Sequence, residues 1–295
     1  KLGGNFVENI IDMWKDKKLH EILQRQGKNI QSVVDLTADD NPSILFYILA
    51  DKLGYLLDEN YEEKITPTSI ELRKKINKLI KFIGPLFLSN KQVMENRNEL
   101  LYPEQLNPLP DKPIELPDKP VIWIANHAIK DDTLASVLAA KRNGYIIFGS
   151  LPQFYNTFDG ISAWANGVIM TNRKVSSSKS SSIKKGIKVI NNGSDLIMFP
   201  EGVWNKSPNK LLLDFWPGVY RIAKETDSKI VPMAHYIRDG AHKIPNNPIH
   251  TVIDDPVSIS DMAEKEALEF LRDKVATWYY LMLEKYGKTT RAELL

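Results

Sequence analysis

The sequence predicts an α/β architecture, a largely parallel sheet flanked by helices and preceded by an N-terminal helical region. Three observations lead there. From Val121 onward, short apolar runs alternate with helix-like segments, the pattern of strand–helix–strand units. Between Tyr102 and Pro120 lie six prolines (Pro103, Pro108, Pro110, Pro113, Pro117 and Pro120), too many for a helix or a central strand. Before them the chain reads as helices. The expected organisation is a helical region over residues 1–101, an extended linker over 102–120 and an α/β domain over 121–295.

In the N-terminal region Asn41 followed by Pro42 is a cap-then-proline start for a helix over 43–57. Thr68-Ser69-Ile70-Glu71 has the capping-box pattern and opens a second helix. That helix places Leu72, Ile76, Leu79, Ile80 and Ile83 at helical spacing, with Lys74, Lys75, Lys78 and Lys81 elsewhere on the wheel, until Gly84-Pro85 ends it. A basic amphipathic helix of this kind fits a core-facing element with a solvated outer face, or one that touches an anionic membrane.

In the α/β part the apolar runs 121–125, 145–148, 167–171, 195–199, 230–236 and 250–253 read as strands. Residues 133–142, 180–191, 218–226 and 260–284 read as helices. Functional loops in such sheets gather at the carboxyl ends of the strands.

Composition narrows the chemistry. With 43% hydrophobic residues in 295 the chain can bury a large core. The formal net charge is only +2, so the balance argues against a general polyanion binder, and no aromatic platform motif points to nucleic acid. Cysteine is absent, which excludes disulfides, thiolate-held metals and a thiol nucleophile. The opening stretch interrupts its apolar residues with charge, unlike a secretory signal, and no run approaches the length of a spanning helix.

The residues that could carry chemistry sit at predicted strand ends. His127 follows the first strand of the α/β part, and Asp132 stands before an alanine-rich helix, where it could orient the imidazole and stabilise the imidazolium. Asp131 is four residues from His127, the spacing that would pair the two on a continuous helix. Phe199-Pro200-Glu201-Gly202 is a sharp turn that would present a carboxylate at the sheet edge to hold hydroxyl groups. Gly167 to Arg173 is a strand ending in an arginine suited to a phosphate, and Lys174, Lys179, Lys184, Lys185 and Lys188 follow it with no acid before Asp195.

Taken together, His127-x4-Asp132, Gly167-x5-Arg173, Phe199-Pro200-Glu201-Gly202 and Ile230-Val231-Pro232 occur in the order and approximate spacing of the four motifs of PlsC-like glycerolipid acyltransferases. Over about residues 120–236 the chain resembles that family. The resemblance implies transfer of a fatty acyl group from an acyl-CoA or acyl-carrier-protein thioester to a hydroxyl of lysophosphatidic acid or a related lysophospholipid, in phospholipid biosynthesis. It implies His127 as general base and Asp132 as its partner. Arg173, Glu201 and Gly202 would bind the phosphate-bearing acceptor, Asn126 counts with the substrate-binding residues, and Pro232 would shape the acyl or acceptor pocket. The pattern differs where Val203-Trp204-Asn205 and Phe215-Trp216-Pro217 replace residues that are commonly Thr, Arg or Ser, and basic, respectively.

Such a reaction needs no metal or redox cofactor. The implied partners are the thioester donor, carried by CoA or an acyl carrier protein, the acceptor and a membrane surface. The implied location is the cytoplasm, peripherally at the inner face of the membrane. The alternatives are a soluble glycerol-3-phosphate acyltransferase, a metal-assisted hydrolase using His127, Asp131, Asp132, Glu201 and His235, and a silent lipid- or partner-binding module. The spacing of His235, His242 and His250 in a Pro/Asn-rich stretch reads as surface positions and not as a metal set.

Overall fold

The computed structural model describes residues 61–88, 90–105, 109–127, 129, 131–149, 163–171, 175–207, 209–238 and 247–287. The helix expected over 43–57, Arg173 and His242 lie outside them.

The first described helix, α1 (Pro67–Ile83), starts earlier than the sequence pattern suggests. Its cap is Thr66: Thr66 Oγ1 accepts from the Ser69 amide, and Ser69 Oγ accepts from the Thr66 amide at 3.0 Å. Pro67 explains the shift, since its fixed φ and missing N–H suit the first helical position. The buried face also differs from the apolar stripe. Ile70, Arg73 and Asn77 are buried, whereas Leu79 and Phe82 are exposed. Polar partners turn this face inward. Arg73 donates to the Tyr145 hydroxyl at 2.8 Å, the Tyr61 hydroxyl at 3.3 Å and the Trp164 carbonyl at 3.3 Å, and Asn77 donates to Asn166. Leu72, Ile76 and Ile80 pack at the margin of the core.

Strand β1 (Gln92–Met94) and the short helix α2 (Arg97–Leu101) precede the proline-rich segment. The sequence did not predict β1, which is three residues long and only partly apolar. It pairs with a C-terminal strand, so the region before the linker contributes to the same sheet as the region after it. Arg97 ties the linker down through Asp111 Oδ1 at 2.8 Å and the Lys112 carbonyl at 2.9 Å. Residues 109–120 form neither helix nor strand, as the prolines require.

The remaining strands are β2 (Ile122–Ala125), β3 (Gly144–Gly149), β4 (Val168–Thr171), β5 (Asp195–Met198), β6 (Ile230–Tyr236) and β7 (Ile249–Ile253). With β1 they form one sheet in the order β1-β7-β6-β2-β5-β3-β4. Every pairing is parallel except the antiparallel β6–β7. All residues of β2, β5, β6 and β7 are buried, as expected for strands covered on both faces. Gly167, just before β4, has φ +117°, and a Cβ there would lie 2.7 Å from the Tyr145 ring, so both backbone and space call for glycine.

Helices α3 (Asp132–Ala139), α4 (Ser176–Asn191), α5 (Gly218–Thr226) and α6 (Glu264–Tyr286) cover the sheet. Helix α4 packs on β3, β4, β5 and α5, α3 on β6 and β7, and α6 on β6. Among the described residues no helix is long and apolar enough to cross a membrane.

The two described C-terminal histidines are not at the surface. His235 on β6 is fully buried between Ser136 Oγ at 2.7 Å and Thr251 Oγ1 at 2.9 Å. His250 on β7 is buried with Nδ1 2.6 Å from Glu95 Oε1. Both lie on interior strands, which the loop-like residues around them obscured.

Candidate active site

Strands β2, β3, β4 and β5 run in one direction, so their carboxyl ends and the loops that follow share one edge of the sheet. A cavity of about 350 Å³ opens there, and its wall includes His127, Phe148, Thr171, Met198, Gly202 and Trp216. This is where a parallel sheet ordinarily places its ligand.

His127 leaves β2 in a short loop and keeps 20% of its side chain exposed. Its Nδ1 lies 2.7 Å from Oδ2 of Asp132, which is wholly buried as the first residue of α3. Oδ2 also accepts from the Ile129 amide at 3.3 Å, and Oδ1 from the Thr133 hydroxyl at 3.4 Å. A carboxylate that accepts from Nδ1 assigns the proton to that nitrogen and leaves the Nε2 lone pair free to take another. Asp131 occupies the N-cap position and does not make this contact.

Glu201 does not extend from the sheet edge as expected. It is 1% exposed, and its carboxylate accepts from two backbone amides, His127 at 2.9 Å through Oε1 and Leu213 at 2.8 Å through Oε2. The carboxylate therefore fixes the loop that carries His127. Gly202 does line the cavity. Its amide donates to the Phe199 carbonyl at 2.8 Å, its φ is +70°, and a Cβ would lie 3.1 Å from Trp216.

Asn126 is buried and binds the His235 backbone on both sides: Nδ2 donates to the carbonyl at 2.9 Å, and Oδ1 accepts from the amide at 2.7 Å. It clamps the end of β2 to β6 and does not line the cavity. Pro232 is a buried residue of β6 in register with Ile124, and it too lies outside the cavity wall. Its role as a pocket-shaping residue is thus not supported by its position. A proline is accommodated there because β6–β7 pairing begins at the next residue, Met233.

Several wall residues, Trp204, Trp216 and Arg221 among them, carried no assigned role at the level of the sequence. Phe199 lies against the His127 ring with centroids 4.7 Å apart, and Trp204 meets the same ring edge-on at 5.7 Å. The positions where the chain departs from the motif pattern, Trp204 and Trp216, were the available signal. Two cations also belong to the wall, Lys179, whose Nζ is 5.1 Å from the centre of a Trp216 ring, and Arg221, 3.5 Å from Glu264 Oε2. The rest of the wall is largely apolar, including Ile147, Ile183 and Ile222.

Beneath the site, burial lowers the pKa of His235 to about 4, opposed in part by the charge of Asp132. It is a neutral structural group at physiological pH. Among the described residues no three His, Cys, Asp or Glu side chains are grouped to hold a metal ion.

A family model described as Acyltransferase matches residues 103–236, which contain β2 to β6 and every described residue of this site. The fold is similar to the crystal structure of the 1-acyl-sn-glycerophosphate (LPA) acyltransferase PlsC from Thermotoga maritima, with a TM-score of 0.50 and 19% identity. That likeness covers 88% of this chain and 99% of the other. No curated protein matches the chain.

Proposed function

We propose that this chain is a PlsC-like acyltransferase that transfers a fatty acyl group from an acyl-CoA or acyl-carrier-protein thioester to a hydroxyl of lysophosphatidic acid or a related lysophospholipid, a reading supported by the match of residues 103–236 to the Acyltransferase family model. The observation that carries the proposal is the 2.7 Å contact between His127 and buried Asp132, set in the wall of a mainly apolar cavity.

An alcohol is a weak nucleophile at neutral pH. His127 Nε2 takes the proton of the acceptor hydroxyl as its oxygen attacks the thioester carbonyl, a contribution of roughly 10²–10⁴-fold for a positioned base. The tetrahedral intermediate collapses, the carbon–sulfur bond breaks, and the imidazolium returns the proton to the leaving thiolate. Asp132 holds the ring and stabilises its charged form. The apolar wall suits an acyl chain, and Lys179 and Arg221 suit an acceptor phosphate.

Such an acceptor resides in a bilayer, and the exposed residues of α1 and the turn after it fit contact with one. Phe82 and Leu86 are 83% and 82% exposed, beside exposed Leu79 and Phe87 and the lysines Lys75 and Lys78. This combination matches a peripheral, anionic membrane face, which for a user of intracellular thioesters would be the inner one.

The test is release of free thiol by the purified chain from acyl-CoA or acyl carrier protein, with lysophosphatidate, other lysophospholipids or glycerol 3-phosphate as acceptor. Acceptor-dependent release that His127→Ala lowers by roughly 10²–10⁴-fold, to a small measurable residue, is the expected result. Equal rates for the two proteins would discard the mechanism, and a preference for glycerol 3-phosphate would reassign the acceptor.

A further inference from the structure

One short segment after β5 holds His127 at separate points. The Glu201 carboxylate accepts its backbone N–H, and the Asn205 amide donates to its carbonyl at 2.9 Å. Between them in sequence, Trp204 packs against its ring with an interplanar angle of 65°. The backbone contacts fix where the residue sits, and the ring contact acts on how the imidazole is turned.

We propose that Trp204 is a positioning residue of this reaction, acting through His127. The inference rests on His127 being the base. The hydrogen bond from Nδ1 to Asp132 defines one point of the imidazole, but the ring can still swing about that point. Two ring contacts, a tilted one with Phe199 at 4.7 Å and an edge-on one with Trp204 at 5.7 Å, restrict that motion. Nε2 is then held where an acceptor hydroxyl must arrive, and a misplacement of about 1 Å can cost on the order of 10²-fold in rate. Tryptophan suits the task because a large ring is ordered by only two side-chain torsions. Its own burial does not explain the contact, since Trp204 remains 40% exposed at the cavity wall. The Phe199 contact comes from the turn that all four residues Phe199 to Gly202 form, whereas Trp204 stands at a position where this chain departs from the motif pattern. The device therefore belongs to this sequence.

The proposal is tested with Trp204→Leu and Trp204→Phe in the full chain, each alone and combined with His127→Ala, using the thiol-release assay and thermal melting. Trp204→Leu should lower kcat by roughly 10–100-fold with KM for donor and acceptor changed less than about threefold, and Trp204→Phe should recover most of the loss. In the His127→Ala background Trp204→Leu should cause no further loss, because the residue it acts through is gone. Should the leucine variant melt early, Trp204→Met keeps bulk without a planar ring and serves the same comparison. An unchanged kcat, a loss confined to KM, or an equal loss without His127 would each overturn the proposal. Failure of the underlying reading is separately visible, as wild-type activity in His127→Ala alone.

Discussion

Nδ1 of His127 meets Oδ2 of Asp132 at 2.7 Å because α3 begins at Asp132 and not before it. Had the helix started at His127, the four-residue spacing would have selected Asp131. The loop between them lets the chain close on the residue five positions away, whose carboxylate is buried in the first turn, where the helix dipole favours a negative charge.

Asp132→Asn is therefore expected to lower kcat by roughly 10²–10⁴-fold, through loss of the carboxylate that orients and stabilises the imidazolium. Asp131→Asn should retain activity within a few fold. Steady-state kinetics of the two variants decide the matter, and the reverse ranking would refute the assigned pair.

Glu201 offers a contrast between charge and hydrogen bonding. Glu201→Gln preserves one carbonyl oxygen and loses one acceptor, whereas Glu201→Ala strands the His127 and Leu213 amides in a buried place. An unpaired buried group costs about 1–3 kcal/mol, so the alanine variant should be less stable by several kcal/mol and the glutamine variant by less. Denaturant midpoints measure this. If Glu201→Ala kept full stability and raised only the acceptor KM, the carboxylate would be a substrate contact after all.

Gly202→Ala should destabilise by about 1–2 kcal/mol from the left-handed backbone alone, with the Trp216 ring displaced in addition. Because Gly202 and Trp216 share the cavity wall, activity should fall with stability. A crystal structure of the variant with Trp216 unmoved and wild-type melting would contradict this.

His235 gives a pH dependence whose sign follows from its depressed pKa. The folded protein resists protonating it until about pH 4, while the unfolded chain takes the proton near the ordinary value of 6.5. Its contribution is fully present above pH 6.5 and is lost as the pH falls toward 4, by at most about 3 kcal/mol. Glu95, whose carboxylate is held down to about 2 by the His250, Tyr286 and Lys285 contacts that outweigh its burial, loses its contribution only in a lower window, from about 4.5 to 2. Unfolding free energies measured between pH 7 and 4.5 should decline in wild type and decline less in His235→Gln; parallel curves would count against the assignment.

How far the sequence reached depends on the range of the interaction. Strands β2 to β7 and helix α5 were legible within a residue or so, because apolar runs and turn residues are local signals of burial and period. Helix α1 starts two residues before the point that the Thr68 capping pattern implies, because Pro67 suits the first helical position. Its inward face departs from the apolar stripe because Arg73 and Asn77 find partners on β3 and before β4. Strand β1 escaped notice since it owes its existence to pairing with residues far along the chain.

The sequence by itself determined the alternation that builds a parallel sheet, the placement of His127, Glu201 and Gly202 in loops at strand ends and that of Asp132 at a helix start, since all are written in neighbouring residues. Only the tertiary structure decided what these groups do to one another. Glu201 and His127 are 74 positions apart, and whether a carboxylate faces a substrate or a backbone amide is set by which loops the sheet brings side by side. Trp204 becomes a neighbour of the imidazole in the same way, by the adjacency of β2 and β5 and not by any spacing in the chain.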